Sequence, residues 1–350
     1  MRRFSRSAPR DSSRRRAWIY VAVGLFLLVD IYLVATALTA TQAQTVLPVA
    51  SPRATLAPTT SPTPTASPTS TPSPTASAAV AVSPVPATRI LSAVSSTVAW
   101  RAITGTCPDP LAEPEVSTDA GATWTTTDAN TPTEVTALQS IDPTNGAVAQ
   151  MLGFAQADCS AQVVRTFVGG DNYASADDEL DTAWYVDPAD RAELHGPDGV
   201  QTAPCDAVVA LAPGASADAA AVLCADARIF TTADAAASWS APLTVPGALT
   251  LTATPGGYLA LAAGPAPVTT QPTATPAPAT CLGLGVIDVS VDPADPAGAP
   301  IASATGCYVT DEAPAALAGN IAVSVADDDT VWLWIGDLTL RSTDAGQTWL

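Results

Sequence analysis

The sequence predicts an all-β domain for the larger, C-terminal part of the chain. Short runs rich in Val, Ile, Ala and Thr, such as residues 321–326 and 330–335, are separated by clusters of Gly, Pro and Asp. This alternation is typical of strands and turns. The same region contains no long stretch with apolar residues at helical spacing. An eight-residue motif also recurs within it, as expected when one structural unit is repeated.

The charge of the chain is unevenly distributed. The 350 residues include 33 acidic residues, 14 arginines and no lysine. Seven arginines precede residue 17, whereas residues 88–350 contain 31 acidic residues and six arginines. Because such a negative domain repels phosphate backbones, the composition excludes nucleic acid as a partner.

The N-terminal region predicts a membrane anchor. Residues 17–38, from Ala17 to Leu38, form an apolar run, and roughly 20 helical residues span a bilayer core. The arginines of residues 1–16 make that segment a basic cytoplasmic tail, so the remainder is expected to be extracellular. The predicted location is therefore the cell membrane, with a single-pass signal anchor and a cytoplasmic N-terminus.

A cleavable signal peptide is the alternative for the same segment, because small residues follow the apolar run at A-x-A-like spacing. These residues are Ala35, Ala37, Ala40 and Ala43. Both interpretations place the C-terminal domain outside the cytoplasm.

Residues 39–87 form a linker rich in Pro, Thr and Ser. Proline removes hydrogen-bond donors, and short hydroxyl side chains bury little apolar surface, so this segment predicts a disordered, extended stalk. A second low-complexity tract of this type, residues 265–280, interrupts the C-terminal domain and is expected to be a surface loop. The domain organisation is thus tail 1–16, transmembrane helix 17–38, linker 39–87 and extracytoplasmic domain 88–350.

Six cysteines lie within the predicted domain. An even number of cysteines on the oxidising side of a membrane predicts three disulfide bonds. No C-x-x-C pair is present, which argues against a thiolate metal site. The cysteines are Cys107, Cys159, Cys205, Cys224, Cys281 and Cys307.

The internal repeat has the pattern S/T-x-D-x-G/A-x-S/T-W. In such a spacing the Asp can bond backbone donors two residues later, Gly supplies positive φ, and Trp begins the returning strand with a large apolar surface. Two windows have the full pattern, and a third has Ala in place of Gly. The motif residues are Ser117, Asp119, Gly121 and Trp124; Thr232, Asp234 and Trp239; and Ser342, Asp344, Gly346 and Trp349.

These three windows resemble the Asp-box, also called the bacterial neuraminidase repeat. In that family the box lies on the hairpin between the third and fourth strands of a propeller blade. The resemblance implies a β-propeller of about six four-stranded blades, similar to sialidases, to the photosystem II assembly factor and to poorly characterised bacterial repeat proteins. First strands are expected near Ile90, Val135, Val208, Leu249, Ile287 and Ile321.

The blade register that the resemblance implies also suggests how the cysteines pair. In that register Cys205–Cys224 and Cys281–Cys307 each link strands of one blade, which leaves Cys107–Cys159 as the third pair. Because the chain stops as a fourth strand begins, residues 78–82 or the segment after them are expected to supply the strand that completes the last blade.

Catalytic residues are not evident. Sialidases use an arginine triad, and Arg89, Arg165 and Arg228 are the candidates for one, but nothing in their context selects them. The sole histidine, His195, lies in a polar stretch and is expected to be solvated. The acidic clusters 177–181 and 327–329 are expected to be solvated turns rather than calcium sites, and Trp332 and Trp334 to pack between blades.

The sequence therefore predicts a non-catalytic, membrane-anchored binding or scaffolding module with a protein or glycan partner and no metal or cofactor. Two alternatives remain: a sialidase-like glycoside hydrolase, and a factor for the assembly of the envelope or of membrane complexes.

Overall fold

The structure, a computed structural model, describes residues 82–264 and 281–350. The predicted tail and transmembrane helix, most of the linker and the second low-complexity tract lie outside these ranges. Within the two described ranges, no helix has the length and apolar character that crossing a bilayer requires.

The described residues form six consecutive antiparallel sheets, numbered here as blades 1 to 6, and the strands of each sheet pair in chain order. Blade 1 contains β1 Arg89–Ala93, β2 Ala99–Ile103, β3 Glu115–Ser117 and β4 Thr125–Thr126. Blade 2 contains β5 Val135–Pro143, β6 Ala149–Ala155, β7 Ala161–Thr166 and β8 Ala174–Ser175. Blade 3 contains β9 Tyr185–Val186, β10 Glu193–Gly196 and β11 Gly199–Thr202.

The second half of the domain repeats this arrangement. Blade 4 contains β12 Val208–Pro213, β13 Ala220–Cys224, β14 Arg228–Thr232 and β15 Leu243–Thr244. Blade 5 contains β16 Ala248–Thr254, β17 Gly257–Ala263, β18 Gly283–Ser290 and β19 Ile301–Val309. Blade 6 contains β20 Ile321–Val325, β21 Val331–Ile335 and β22 Leu338–Ser342. The helices are short: α1 Asn130–Thr133, a 3₁₀ helix Asp177–Thr182 and α2 Pro314–Leu317.

The blades are arranged in a closed ring. The first strands of blades 4 and 5, 5 and 6, 6 and 1, and 1 and 2 contact one another, and β9 contacts β12. Between blades 2 and 3, the Gln139 side chain accepts from the Val186 N–H and donates to its carbonyl oxygen, at 3.0 and 2.6 Å. The predicted all-β fold with six blades is confirmed, and the protein is a six-bladed β-propeller.

The blades pack face to face, so their central strands are apolar on both sides. All five residues of β13 and all five of β21 are buried. This burial explains the continuous apolar runs in these strands, since a strand enclosed between two neighbouring sheets has no solvent-facing side. Trp332 and Trp334 of β21 both contact blade 1, in line with the expectation that they pack between blades.

The blade register differs from the expected one at two places. Ile287 does not begin a blade; it lies in β18, the third strand of blade 5. The blade that the sequence did not reveal is blade 3, whose first strand has only two residues. β18 resembles a first strand because it is paired on both sides and five of its eight residues are buried. The tract 265–280 therefore connects the second and third strands of blade 5.

The described part of the segment expected to complete the last blade does not do so. Residues 82–87 form no strand, and residues 78–81 lie outside the described part of the chain. Val82 instead packs on the cluster around Leu317, and the Thr88 N–H donates to the Gly319 oxygen at 2.7 Å. Leu350 pairs with Arg341 through two backbone hydrogen bonds of 2.9 and 3.1 Å, where a fourth strand would start.

Side chains stabilise the junction between blades 6 and 1. The guanidinium of Arg101 lies 4.0 Å from the ring centre of Trp124 and 4.7 Å from that of Trp334. Arg89 lies 4.5 Å from the same Trp334 ring, so the two arginines and two tryptophans form one group, here called the closure cluster. Cation–π contacts of this type strengthen when they are shielded from water, and Trp334 is only 5% exposed.

Three disulfides join the six cysteines, as predicted: Cys107–Cys159, Cys205–Cys224 and Cys281–Cys307. The first crosses from blade 1 to blade 2, because each of its cysteines follows a second strand. The second ties the entry of blade 4 to the end of β13, and the third links the start of β18 to β19. Each bond limits the freedom of the unfolded chain.

The closure cluster predicts a large effect for Trp334→Ala. Truncation removes a buried indole and the surface that two arginines cover, so the free energy of unfolding is expected to fall by about 3–5 kcal/mol in urea denaturation. Leu338→Ala is the control, because this neighbouring side chain is 55% exposed and its loss should cost less than about 0.5 kcal/mol. Similar losses for both variants would contradict the assigned role of the cluster.

Candidate functional site

The three motif windows have the same local geometry. In the first, the Ser117 hydroxyl donates to Asp119 and accepts from the Gly121 N–H, both at 2.9 Å. Asp119 also accepts from the N–H and hydroxyl of Thr123, at 2.9 and 2.6 Å. The windows at Thr232 and Ser342 contain the equivalent four bonds. Each window follows a third strand and closes its turn with its own side chains.

The turn requires two consecutive residues with positive φ. Ala120 and Gly121 have φ of 66° and 82°, and Ala345 and Gly346 have 57° and 84°. In the window that lacks glycine, Ala235 and Ala236 adopt the same conformation, at 55° and 66°. Alanine rarely adopts this region, so the carboxylate network must hold the turn in place there.

Blade 2 contains a fourth copy that the sequence pattern did not identify. The Thr166 hydroxyl accepts from the N–H groups of Val168 and Gly170 at 3.3 and 3.0 Å, as Ser117 does in blade 1. Gly169 and Gly170 have φ of 68° and 92°. Val168 replaces the Asp and Tyr173 replaces the Trp. The recognisable signal was the spacing of Thr, Gly and an aromatic residue; the missing carboxylate concealed it.

Each motif turn packs against the preceding blade. Trp124 belongs to the cluster with Trp334 of blade 6, and the Tyr173 hydroxyl bonds Thr127 of blade 1 at 2.7 Å. Trp239 packs with Trp184, which directly precedes blade 3. Trp349 donates to the Cys307 oxygen of blade 5 at 3.2 Å. The motif residues therefore fill the junctions between blades, which is a structural role.

The motif carboxylates are strongly stabilised in their charged form. Hydrogen bonds from Thr123 and Ser117 lower the pKa of Asp119 to about 2, and bonds from Thr348 and Ser342 do the same for Asp344. The pKa of Asp234 is lowered by the equivalent bonds, led by that from Ser238. These groups act as acceptors that hold the turns.

The three arginines considered for a carboxylate triad do not meet. Arg89, on β1, donates to the Gly336 oxygen; Arg165, on β7, bonds Gln150 and Glu179; and Arg228, on β14, bonds Asp226 at 2.6 Å. They lie in blades 1, 2 and 4 and have separate local partners. The structure therefore does not assemble the triad that a sialidase requires.

His195 lies on strand β10 rather than in a solvated loop. Its ring stacks on Tyr185 with 4.1 Å between ring centres, and its Nε2 lies 3.4 Å from Asp187. The two acidic clusters also have internal roles. Asp328 accepts from the Ser96 N–H at 2.8 Å across the closing junction, and Glu179 pairs with Arg165. No group of three potential metal ligands is present in the described ranges.

A cavity of about 210 Å³ lies between blades 4 and 5, beside the first-to-second strand turns of both blades. Its wall is mainly apolar: Ala215, Ala219, Pro255, Tyr258, Val291 and Pro296 line it, among others. Blade 5 has no motif turn after its third strand, so no motif aromatic fills this junction. This is the candidate functional site.

The cavity wall also contains side-chain hydroxyl groups, of which that of Thr231 is buried without a partner. Thr231 lines it and is 2% exposed, yet its hydroxyl has no hydrogen-bond partner. Tyr258 is 4% exposed, and burial raises its pKa to about 12, so it remains a neutral phenol. A buried hydroxyl without a partner is costly, and such a group in a cavity wall can bond a ligand.

A second depression is lined by Thr310, Asp311, Glu312, Ala313 and Ala316. Most of these residues are exposed and none is aromatic or large and apolar, so the depression has little surface to exclude water from a ligand. It is a weaker candidate than the cavity between blades 4 and 5.

The class of this protein, a six-bladed β-propeller, follows from the structure. No protein-family model and no curated protein matches the chain. Among solved structures, it is similar to YCF48 bound to D1 peptide (14% identity, TM-score 0.26, covering 77% of this chain and 70% of that one). It is also similar to YCF48 from Cyanidioschyzon merolae (16%, 0.25, 76% and 86%) and to the GH74 enzyme of Niastella koreensis (14%, 0.22, 74% and 41%). Likenesses of this strength assign no activity or partner.

The close approach of blades at the motif turns predicts the effect of Gly346→Ala. An added Cβ would lie 2.6 Å from Val286 of blade 5, at a φ of 84°. The variant is expected to lose more than about 2 kcal/mol of unfolding free energy, from left-handed strain of ~1–2 kcal/mol and overpacking of ~1–3 kcal/mol. Gly336→Ala has positive φ but open space, so it should lose only the strain. Equal losses in thermal or urea denaturation would refute the packing role.

The lowered pKa values predict a specific acid sensitivity. Because the folded pKa of Asp119 and Asp344 is about 2 against an ordinary 3.8, their contribution is complete above pH 4 and is lost as the pH falls through 2. Thermal melts should therefore show stability falling between pH 4 and pH 2, less steeply in Asp119→Asn or Asp344→Asn. Asp198 is an exposed carboxylate outside the motifs, so Asp198→Asn controls for the change in net charge. An equal reduction of the pH dependence in this variant would refute the role of the motif carboxylates.

Proposed function

We propose that the propeller is a binding or scaffolding module for a positively charged protein partner, displayed outside the cell from a membrane anchor. The proposal depends on one observation about charge. Residues 88–350 contain 31 acidic residues, and all six of their arginines donate hydrogen bonds within the domain.

The arginines are engaged in different ways. Arg101 pairs with Glu115 at 2.5 Å, Arg191 donates to the Val208 oxygen at 2.6 Å, and Arg341 donates to the Ser96 oxygen at 2.7 Å. Burial lowers the pKa of Arg191. The described surface therefore presents many carboxylates and no arginine that is free of internal partners. Such a field attracts cations and repels anions.

The proposed display on a membrane depends on the sequence of residues 1–87. Residues 17–38 are proposed as the transmembrane helix, residues 1–16 as its cytoplasmic tail and residues 39–87 as the stalk. Three disulfides in the propeller support an oxidising, extracytoplasmic location. A cleaved signal peptide would also export the propeller, and it remains the alternative for residues 17–38.

The motif turns support a place among the Asp-box propellers. Four turns have the same pair of left-handed residues, and three have the same carboxylate network. Membership of that group does not by itself assign a reaction, because propellers of one architecture serve many functions. A glycan partner and a role in envelope assembly remain compatible uses of a binding module. The separate partners of Arg89, Arg165 and Arg228 do not favour a sialidase-like hydrolase.

The charge argument predicts selective, salt-sensitive binding. The full chain, in nanodiscs of zwitterionic lipid, is tested by fluorescence anisotropy with twelve-residue lysine-rich and glycine–serine peptides. The lysine-rich peptide should bind at least tenfold more tightly, and its affinity should fall steadily as the salt concentration rises from 50 to 300 mM. Equal affinities for the two peptides, or no dependence on salt, would overturn the proposed function.

A further inference from the structure

The cavity between blades 4 and 5 has the properties of a site that binds a single side chain of a partner. Resting on the proposed function, we infer that it receives one apolar side chain of the partner, carried on a cationic peptide segment. Four other junctions are filled by a motif aromatic, one hydroxyl in the cavity wall is unpaired, the cavity is small and most of the surrounding loops are acidic.

Blade 5 lacks the feature that fills four of the other five junctions. At four other junctions, a motif turn inserts an aromatic residue against the preceding blade: Trp124, Tyr173, Trp239 and Trp349. In blade 5 the connection between the third and fourth strands is residues 291–300, which contain neither the motif nor an aromatic residue. Val291 and Pro296 of this connection border the cavity without filling it.

The wall offers both apolar contact and one fixed polar group. Tyr258, Pro255 and Val291 supply apolar surface, and the hydroxyl of Thr231 lacks a partner although the side chain is almost fully buried. The backbone of Thr231 is satisfied, because its N–H and carbonyl oxygen both bond Ser240, at 3.0 and 2.8 Å. This unpaired hydroxyl is therefore the polar group of the wall that the inserted segment is proposed to bond.

The size of the cavity limits its occupant. Its volume of about 210 Å³ is below the roughly 300–1,000 Å³ of pockets that enclose whole drug-sized ligands. It can hold one medium-sized side chain, while the rest of the ligand lies across the surface. This is the arrangement of an anchor residue in a protein interface.

The negative charge around the cavity favours positively charged residues on both sides of the inserted side chain. Three of the four loops that border it carry an exposed carboxylate or lie next to one: Asp218, Asp234, and Asp292 with Asp295. No arginine lines the cavity. A peptide that places lysine or arginine on both sides of an apolar residue would complement this rim, whereas an acidic peptide would be repelled.

The test uses a series of fluorescent peptides with the full chain in zwitterionic nanodiscs. Each peptide has two lysines on either side of a central Leu, Val, Ala or Glu. The Leu peptide is expected to bind at least fivefold more tightly than the Ala peptide, because only the larger side chain fills the cavity. The Glu peptide should bind most weakly. Equal affinities across the series would overturn the inference.

Two variants locate the site. Ala215→Trp introduces a bulky side chain at the cavity wall and should lower the affinity for the Leu peptide at least tenfold. Ala147→Trp makes the same exposed substitution in the corresponding turn of blade 2, and its affinity should match the wild type. An equal loss of affinity in both variants, or no loss in either, would show that the Leu peptide does not bind at this cavity.

The hydroxyl of Thr231 provides an independent test, because its removal should not lower the stability of the free protein but should lower the affinity for the peptide. Thr231→Val removes an unpaired buried hydroxyl at nearly constant volume, so the melting temperature of the free protein should stay the same or rise while peptide affinity falls three- to tenfold. Thr231→Ser keeps the hydroxyl and should retain the affinity. Loss of affinity in Thr231→Ser as large as in Thr231→Val would contradict this role.

The outcomes of these experiments distinguish an error in the binding site from an error in the proposed function. If lysine-rich peptides bind with salt dependence but no cavity variant changes their affinity, the site is wrong and the proposed function stands. If no lysine-rich peptide binds, the proposed function fails. If a neutral peptide with the sequence of residues 265–280 binds more tightly than the Leu peptide and is sensitive to Ala215→Trp, the chain's own segment is the occupant and the cationic inference is overturned.

Discussion

The packing of an aromatic side chain from one blade against the preceding blade is the constraint on which the ring depends. Four turns present Trp124, Tyr173, Trp239 and Trp349 in the same position, and hydrogen bonds within eight residues hold three of them. Because each aromatic contacts both its own blade and the previous one, the same side chain belongs to a turn and to the packing of two blades. The carboxylates that close three of these turns therefore contribute to the packing of the ring.

The closing junction uses the same principle with added charge. Trp124 packs on blade 6. Arg101 lies over the rings of Trp124 and Trp334, and Arg89 lies over that of Trp334. Arg341 of blade 6 donates to the Ser96 oxygen of blade 1. Arginine suits this position because its flat cation stacks on an indole while its N–H groups bond oxygens. The engagement of arginines inside the ring also removes positive charge from the surface, and this links the stability of the fold to the acidic field proposed for binding.

The cavity between blades 4 and 5 illustrates how a repeated fold acquires a site. The repeat fills a junction wherever the motif is present, and the junction between blade 4 and blade 5, which lacks the motif, contains unfilled space although its sheets are intact. Thr231 lines this space, and its hydroxyl has no hydrogen-bond partner. The site is therefore a consequence of the irregularity of the repeat rather than of an added domain.

The sequence alone determined the features that depend on neighbours in the chain: the three motif turns, the alternation of strands and turns, and the even number of cysteines. It placed five of the six first strands, because turn residues mark the ends of strands locally. Only the tertiary structure revealed blade 3, the position of β18 within blade 5 and the separation of Arg89, Arg165 and Arg228. These depend on which distant segments pack together: a buried third strand reads like a first strand, and the sequence around each arginine does not show whether arginines of different blades converge.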